Sequence, residues 1–263
     1  MKTTTISNLN AMKTAGDKFA VITAYDYTFS RLIETAGIEV TLVGDSLGNV
    51  IQGRDSTIPV TIDEMAYHTE IVKRGNSRTL LMTDMPFMSY ATANQAMDNA
   101  AILMQAGAQM VKLEGGEWLA ETVYMLTERG IPVCGHVGLT PQSVHKLGGY
   151  RVQGKEEDAA QQMIDEAVIL QEAGADLIVV ECVPSSLGRD LSKALSIPVI
   201  GIGAGPDTDA QVLVLQDMLG ISQRLPKFSK NFLEDNSSIQ QAIIAYGNDV
   251  RSGAFPAPKH CFK

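Results

Sequence analysis

Basic residues are in short supply in this 263-residue chain, where 21 Lys and Arg are set against 30 Asp and Glu for a net charge of −9. Without a cationic stripe to neutralise phosphates, nucleic acid is a poor candidate partner and small molecules fit better. Cysteine is scarcer still. The three thiols, Cys134, Cys182 and Cys261, are odd in number and show neither CxxC nor Cys/His spacing, which argues against a disulfide framework and structural zinc. No apolar run reaches the roughly 18 residues of a membrane span. The opening stretch MKTTTISNLNAMKTAG lacks the apolar centre of a secretion signal, so the expectation is a cytosolic protein without membrane contact. No Gly/Pro/Ser-rich linker and no low-complexity tract divides the chain. A single domain is therefore expected, and 45% hydrophobic residues are ample for its core.

What the chain does contain is alternation. Short β-rich apolar runs recur between longer helical patterns from Phe19 onward, as in successive βα units around a parallel sheet. Eight strands are read at 19–26, 40–45, 79–84, 109–115, 131–136, 176–182, 197–202 and 211–217. Most are continuously apolar, as strands covered on both faces require. Helices are predicted between them, among them TIDEMAYHTEIVKRG and EEDAAQQMIDEAVILQEAGA, the second opening with acids that suit the positive end of a helix dipole. AGAQMVKLE (106–114) aligns with AGADLIVVE (173–181), and IPVCGH (131–136) with IPVIGI (197–202), offsets of 67 and 66 residues. This weak repeat supports closure into a (β/α)8 TIM barrel, although the same words are also generic helix-stop and strand-start chemistry. The stretches at about 1–18 and 247–263 read as extensions, and the tail GAFPAPKHCFK as a loosely held strap or frayed end.

The predicted strands end in Asp26, Asp45 followed by Ser46, Asp84, Glu114, His136, and Glu181 followed by Cys182. In a TIM barrel such ends form the face that carries active sites. An Asp after a strand often caps the next helix, which is the plainer reading of Asp26 or Asp84 taken singly. Taken together the set points to chemistry. Asp45, Asp84 and Glu114 come from consecutive strands, and hard oxygen ligands clustered this way suit magnesium; zinc is disfavoured because histidine pairs and thiolates are lacking. Lys112 lies two residues before Glu114 and so points to the same side. It reads either as half of a structural ion pair or as the anchor for an anionic substrate or developing enolate. Glu181 follows the dry run DLIVV, where burial would raise its pKa towards that of a general base; a buried, paired carboxylate is the other reading. His136 could orient substrate, bind metal or be structural. GIGAG (201–205) resembles an anion loop but lacks the full dinucleotide fingerprint. Tyr25 is a supporting or core residue, and Met85, Phe87, Met88 and Tyr90 are either pocket lining or core.

The segments TAYDY (23–27), VGDSLG (43–48), QGRDSTIPVT (52–61), DMPFMSY (84–90), AGAQMVKLEGG (106–116), IPVCGHVGLTPQS (131–143), GGYRVQG (148–154), ECVP (181–184) and IPVIGIGAG (197–205) resemble the ketopantoate hydroxymethyltransferase family over nearly the whole chain. The resemblance implies a TIM barrel, magnesium, a homodecamer, and transfer of a one-carbon unit from 5,10-methylenetetrahydrofolate to 3-methyl-2-oxobutanoate, giving 2-dehydropantoate. It implies that Asp45, Asp84 and Glu114 hold the metal. Ser46 and Lys112, together with Asp45 and Asp84, would then meet the oxo acid, and Glu181 would accept the proton. ISQRLPKF (221–228) and the final tail depart from the family pattern, which bears on the folate side and on subunit contacts.

Residue chemistry alone is compatible with two other readings. A class II aldolase or a phosphoenolpyruvate-type lyase would use the same metal enolate, and a catalytically dead barrel could serve in assembly or ligand binding. The conjunction of Asp45, Asp84, Lys112, Glu114 and Glu181 speaks against the last, since binding alone needs no base opposite a metal.

Overall fold

The computed structural model describes residues 3–263. Eight parallel strands close into a barrel in the order β1 to β8: Phe19–Thr23, Val40–Val43, Leu80–Asp84, Met110–Glu114, Val133–Gly138, Leu177–Glu181, Val199–Ile202 and Ala210–Leu213. The chain thus forms a (β/α)8 barrel, and all eight predicted strands are present. The helices are α1 (Ile6–Ala15), α2 (Tyr27–Thr35), α3 (Leu47–Val50), α4 (Ile62–Gly75), α5 (Ala93–Gln105), α6 (Ala120–Thr127), α7 (Val144–Leu147), α8 (Glu157–Glu172), α9 (Ser185–Ala194), α10 (Leu215–Met218) and α11 (Ile239–Arg251). Among the described residues no helix is long and apolar enough to cross a membrane.

Local chemistry accounts for several element starts. Thr61 and Glu64 form a reciprocal capping box that opens α4, and Thr92 accepts from the Gln95 N–H at the start of α5. Asp26 accepts from the Phe29 N–H at 2.9 Å, so it is the cap of α2. The strands alternate between two cores. Val21, Leu42, Met82, Met110, Val179, Ile200 and Val212 fill the lumen, while Ile22, Val43, Leu81, Val111, Ile178 and Val180 pack outward against helices.

Several boundaries differ from the sequence expectation: β1 ends at Thr23 rather than at 26, and β5 runs Val133–Gly138 rather than 131–136. Strand β8 stops at Leu213, and α10 takes over from Leu215, whose N–H is accepted by Thr23 Oγ1 at 3.0 Å. A side-chain acceptor replaces the ladder there, and the apolar run gives no sign of the switch. The extension before Phe19, whose residues 1 and 2 lie outside the described region, packs onto the barrel. Its α1 drives Leu9 into the lumen core, and Lys13 pairs with Asp209 at 2.7 Å just before β8, so α1 plugs the end of the barrel where the strands begin. The tail is likewise packed rather than frayed. Phe255 sits against Phe232 and Tyr246 with ring centroids 5.5 and 6.0 Å apart, and the Phe262 carbonyl accepts from the Ser185 N–H at 3.1 Å.

Replacing Leu9 with Ala should cost about 2–5 kcal/mol of stability through the lost contacts and residual cavity. Urea denaturation would measure the loss.

Candidate active site

The inward parity that fills the lumen with aliphatic side chains continues to the strand ends, where it turns polar. On β3 the series Leu80, Met82 ends in Asp84; on β4 Met110 is followed by Lys112 and Glu114; on β5 Cys134 is followed by His136; on β6 Leu177 and Val179 end in Glu181. Register places Asp84 beside Lys112 and Glu114 beside His136. Asp45 and Ser46 follow β2 on the same face, after Gly44.

Lys112 is the electrostatic centre of this face. Its Nζ lies 2.9 Å from Asp84 Oδ1, 3.7 Å from Glu114 Oε1 and 3.2 Å from His136 Nδ1, and all four side chains are buried. Burial works against the ammonium, but Asp84, Glu114 and Asp45 outweigh it and hold the Lys112 pKa above its ordinary value. The second Asp84 oxygen accepts from the Asp45 N–H at 3.0 Å, so this Asp ties two strand ends together instead of capping a helix.

His136 links the two acidic groups. Its Nδ1 stands 3.3 Å from Glu114 Oε1 and its Nε2 3.4 Å from Glu181 Oε2, neither contact aligned as a hydrogen bond. Burial and Lys112 oppose its charge, yet contact with the two carboxylates raises its pKa to about 9. Glu114 also feels burial, which favours its neutral form. His136, Lys112 and the Gln142 N–H overcome that effect and keep it ionised. Burial pushes the Glu181 carboxyl upward, with His136 tempering the rise. Glu181 is also the most open of these groups, with 13% of its side chain exposed against 2–5% for Glu114, Lys112, Asp84 and His136.

The arrangement is short of positive charge. Burial first, then Glu114 and Asp84, drive the Asp45 carboxyl well above its usual range. Asp84 Oδ1 meets only the Lys112 ammonium, and Glu114 Oε1 is buried without a hydrogen bond. Both observations fit a site that takes up a further cation. The donors are hard oxygens, which suits magnesium; that ion takes one or two carboxylates and fills its remaining positions with water and substrate. Among the described residues no three Asp, Glu, His or Cys side chains converge into a ready-made cage.

Ser46 stands at the rim, 2.7 Å from the Tyr25 hydroxyl. Tyr90 is buried with its hydroxyl inside the site, whereas Phe87 and Met88 are exposed and Met85 is core. The GIGAG glycines allow close packing: a Cβ on Gly203, at φ +63°, would press on Phe228 and Phe262. The cysteines are free thiols. One residue escapes sequence reasoning altogether. Gln142 donates its Nε2 to Asp45 Oδ2 and its backbone N–H to Glu114 Oε2, each at 2.9 Å, and comes from a loop with no local signal beyond its polarity.

In the metal-free protein the His136 imidazole should remain protonated through neutral pH and titrate near 9 by NMR. Because this pKa is raised in the folded state, its stabilising contribution is complete below the unfolded value of about 6.5 and fades as pH rises through about 9. The stability deficit of His136→Gln should accordingly be largest near the lower value and shrink above the upper one.

Comparison with known proteins bears on this site. The sequence profile described as Ketopantoate hydroxymethyltransferase matches residues 3–258. Proteins called 3-methyl-2-oxobutanoate hydroxymethyltransferase are similar from end to end. That of Shewanella denitrificans is 59% identical over 99% of both chains, and that of Cronobacter sakazakii is 57% identical over 100% of both. Among solved structures, a phosphonopyruvate hydrolase in complex with oxalate and Mg++ has a TM-score of 0.62 at 14% identity, covering 98% of this chain and 93% of its own. A 2,3-dimethylmalate lyase of the PEP mutase/isocitrate lyase superfamily has a TM-score of 0.59 at 15% identity over 81% of each chain. At such identities these structures share the fold.

Proposed function

The chain belongs to the ketopantoate hydroxymethyltransferase family, and from that premise we propose that it transfers a hydroxymethyl group to 3-methyl-2-oxobutanoate, giving 2-dehydropantoate (ketopantoate) for pantothenate biosynthesis. The one-carbon unit comes from 5,10-methylenetetrahydrofolate. The observation that carries the reading is the placement of Glu181, a largely buried carboxyl whose pKa is raised, beside the acidic groups gathered around the buried Lys112 ammonium.

Asp45 and Asp84 would hold the magnesium, with Glu114 as a third carboxylate. The excess of acid over the single Lys112 ammonium, and the Glu114 Oε1 left without a hydrogen bond, support this assignment. Bound magnesium would supply Lewis-acid polarisation of the keto group of the oxo acid, which makes the C3 proton removable. Lys112 and Ser46, beside Asp45 and Asp84, receive the oxo acid, Lys112 presenting its ammonium to the substrate anion and Ser46 its hydroxyl, oriented by Tyr25. Glu181 takes the C3 proton on its carboxylate, and His136 at 3.4 Å stabilises the ionised form that does so. Water releases the one-carbon unit from methylenetetrahydrofolate at the level of formaldehyde, breaking both of its C–N bonds and freeing tetrahydrofolate. The enolate, its charge against Lys112, attacks that carbon, and the resulting alkoxide takes the proton held by Glu181 to become the hydroxymethyl group. No covalent lysine adduct is required, and a Lys112 held charged by three carboxylates would be a poor nucleophile. The same reading carries a homodecamer in the cytosol. Exposed Tyr67, Trp118, Tyr124 and Ile221 are side chains that subunit contacts would cover.

With magnesium and 3-methyl-2-oxobutanoate in deuterium oxide, the protein should exchange the C3 proton without folate and form 2-dehydropantoate only when methylenetetrahydrofolate is added. Absence of both exchange and folate-dependent product would remove the transferase reading. Glu181→Gln should slow turnover roughly 10²–10⁴-fold. Oxo-acid binding should remain within a few-fold of the parent, and an undiminished rate would take Glu181 out of the mechanism. Chelation by EDTA should abolish turnover, and magnesium should restore it.

A further inference from the structure

Gln142 is buried at the barrel mouth, yet the reaction outlined above gives it no task. It lies in the turn Pro141–Ser143 after β5 and touches the ends of three other strands. Its backbone N–H donates to Glu114 Oε2 at 2.9 Å. Its Nε2 donates to Asp45 Oδ2 at 2.9 Å and to the Met85 carbonyl at 3.0 Å, and its Oε1 accepts from the Tyr90 hydroxyl at 2.5 Å. The backbone carbonyl of Met85 can only accept, so the amide nitrogen must lie on that side and the oxygen towards Tyr90. Both amide protons and the amide oxygen are used, which leaves the side chain one orientation.

Asp45 and Glu114 are acidic groups buried in the same site, and nothing in their own chemistry keeps them facing inward together. Gln142 donates one N–H to each. By occupying Oδ2 of the first and Oε2 of the second it leaves the other oxygen of each uncommitted to it, and Glu114 Oε1 has no hydrogen bond at all. The approach depends on a sharp bend at the end of β5. Gly138 has φ +92°, and a Cβ there would collide with the Glu181 carbonyl oxygen.

We infer that Gln142 is a positioning residue that sets Asp45 and Glu114 in their metal-binding orientations before the cation arrives. This rests on the magnesium site proposed above. Tyr90 acts one step further out, as the lock on the amide oxygen.

Calorimetric titration of the full-length protein with Mg2+ alone tests the inference without reference to turnover. Gln142→Met retains the length of an unbranched side chain and removes its hydrogen bonds; it should weaken Mg2+ binding about 10–100-fold, the usual effect of losing a group that orients metal ligands. Tyr90→Phe removes the lock, together with the longer 3.3 Å contacts of the hydroxyl with the Glu114 backbone, and should produce a smaller loss in the same direction. A side chain that merely fills space would leave Mg2+ affinity unmoved, so parent-like binding by Gln142→Met overturns the inference. Should that variant not fold, Tyr90→Phe decides, and unchanged affinity there overturns it as well. A parent protein that takes up no Mg2+ defeats the metal site itself and this inference with it, whereas a parent and variant that bind equally defeat only the role of Gln142.

Discussion

An ammonium group 2.9 Å from Asp84, at the point where an apolar lumen gives way to solvent, is the constraint around which the mouth of this barrel is organised. A buried lysine is expensive unless its charge is met, and a lone carboxylate partner would satisfy it. Here the site supplies more acid than one lysine can balance. Asp45, Glu114 and Glu181 surround the pair, His136 is drawn into its charged form, and Asp45 is pushed towards its neutral form. Such a centre is not arranged for stability alone, and the proposed binding of a cation and an oxo acid would draw on it.

The rest of the molecule keeps that imbalance in place. Aliphatic side chains fill the lumen below the charges, α1 closes the far end with Leu9, and α11 sets the Tyr246 hydroxyl 2.9 and 2.8 Å from the carbonyl oxygens of Val21 on β1 and Gln211 on β8, where the barrel closes. A dry, closed cylinder keeps water from screening the Lys112 cluster from beneath. The strand register then fixes which charged groups are neighbours, and Gln142, arriving from the β5 side, holds two of them from above.

Much of this was legible along the chain because β-structure writes itself with a period of two. Lys112 and Glu114 had to share a face, and the repeat of 106–114 at 173–181 placed Glu114 and Glu181 at equivalent strand ends. The eight apolar runs announced eight strands. Asp26 and Asp84 looked alike in sequence, each an acid ending an apolar run, and only the structure separates them: one caps a helix, the other meets a lysine from the next strand. The packing of the tail escaped notice because it depends on Phe255 finding Phe232 and Tyr246, a contact no local pattern encodes.

Sequence by itself therefore determined the barrel, the parity of its inward residues and the identity of the acids and the lysine at the strand ends, since each follows from local hydrophobic period and residue type. Tertiary structure decided their pairing and their charge states. Glu114 meets His136 through strand register, and Asp45 meets Gln142 across 97 residues of chain. Ionisation follows burial and the distance to other charges, and those exist only after the barrel has closed.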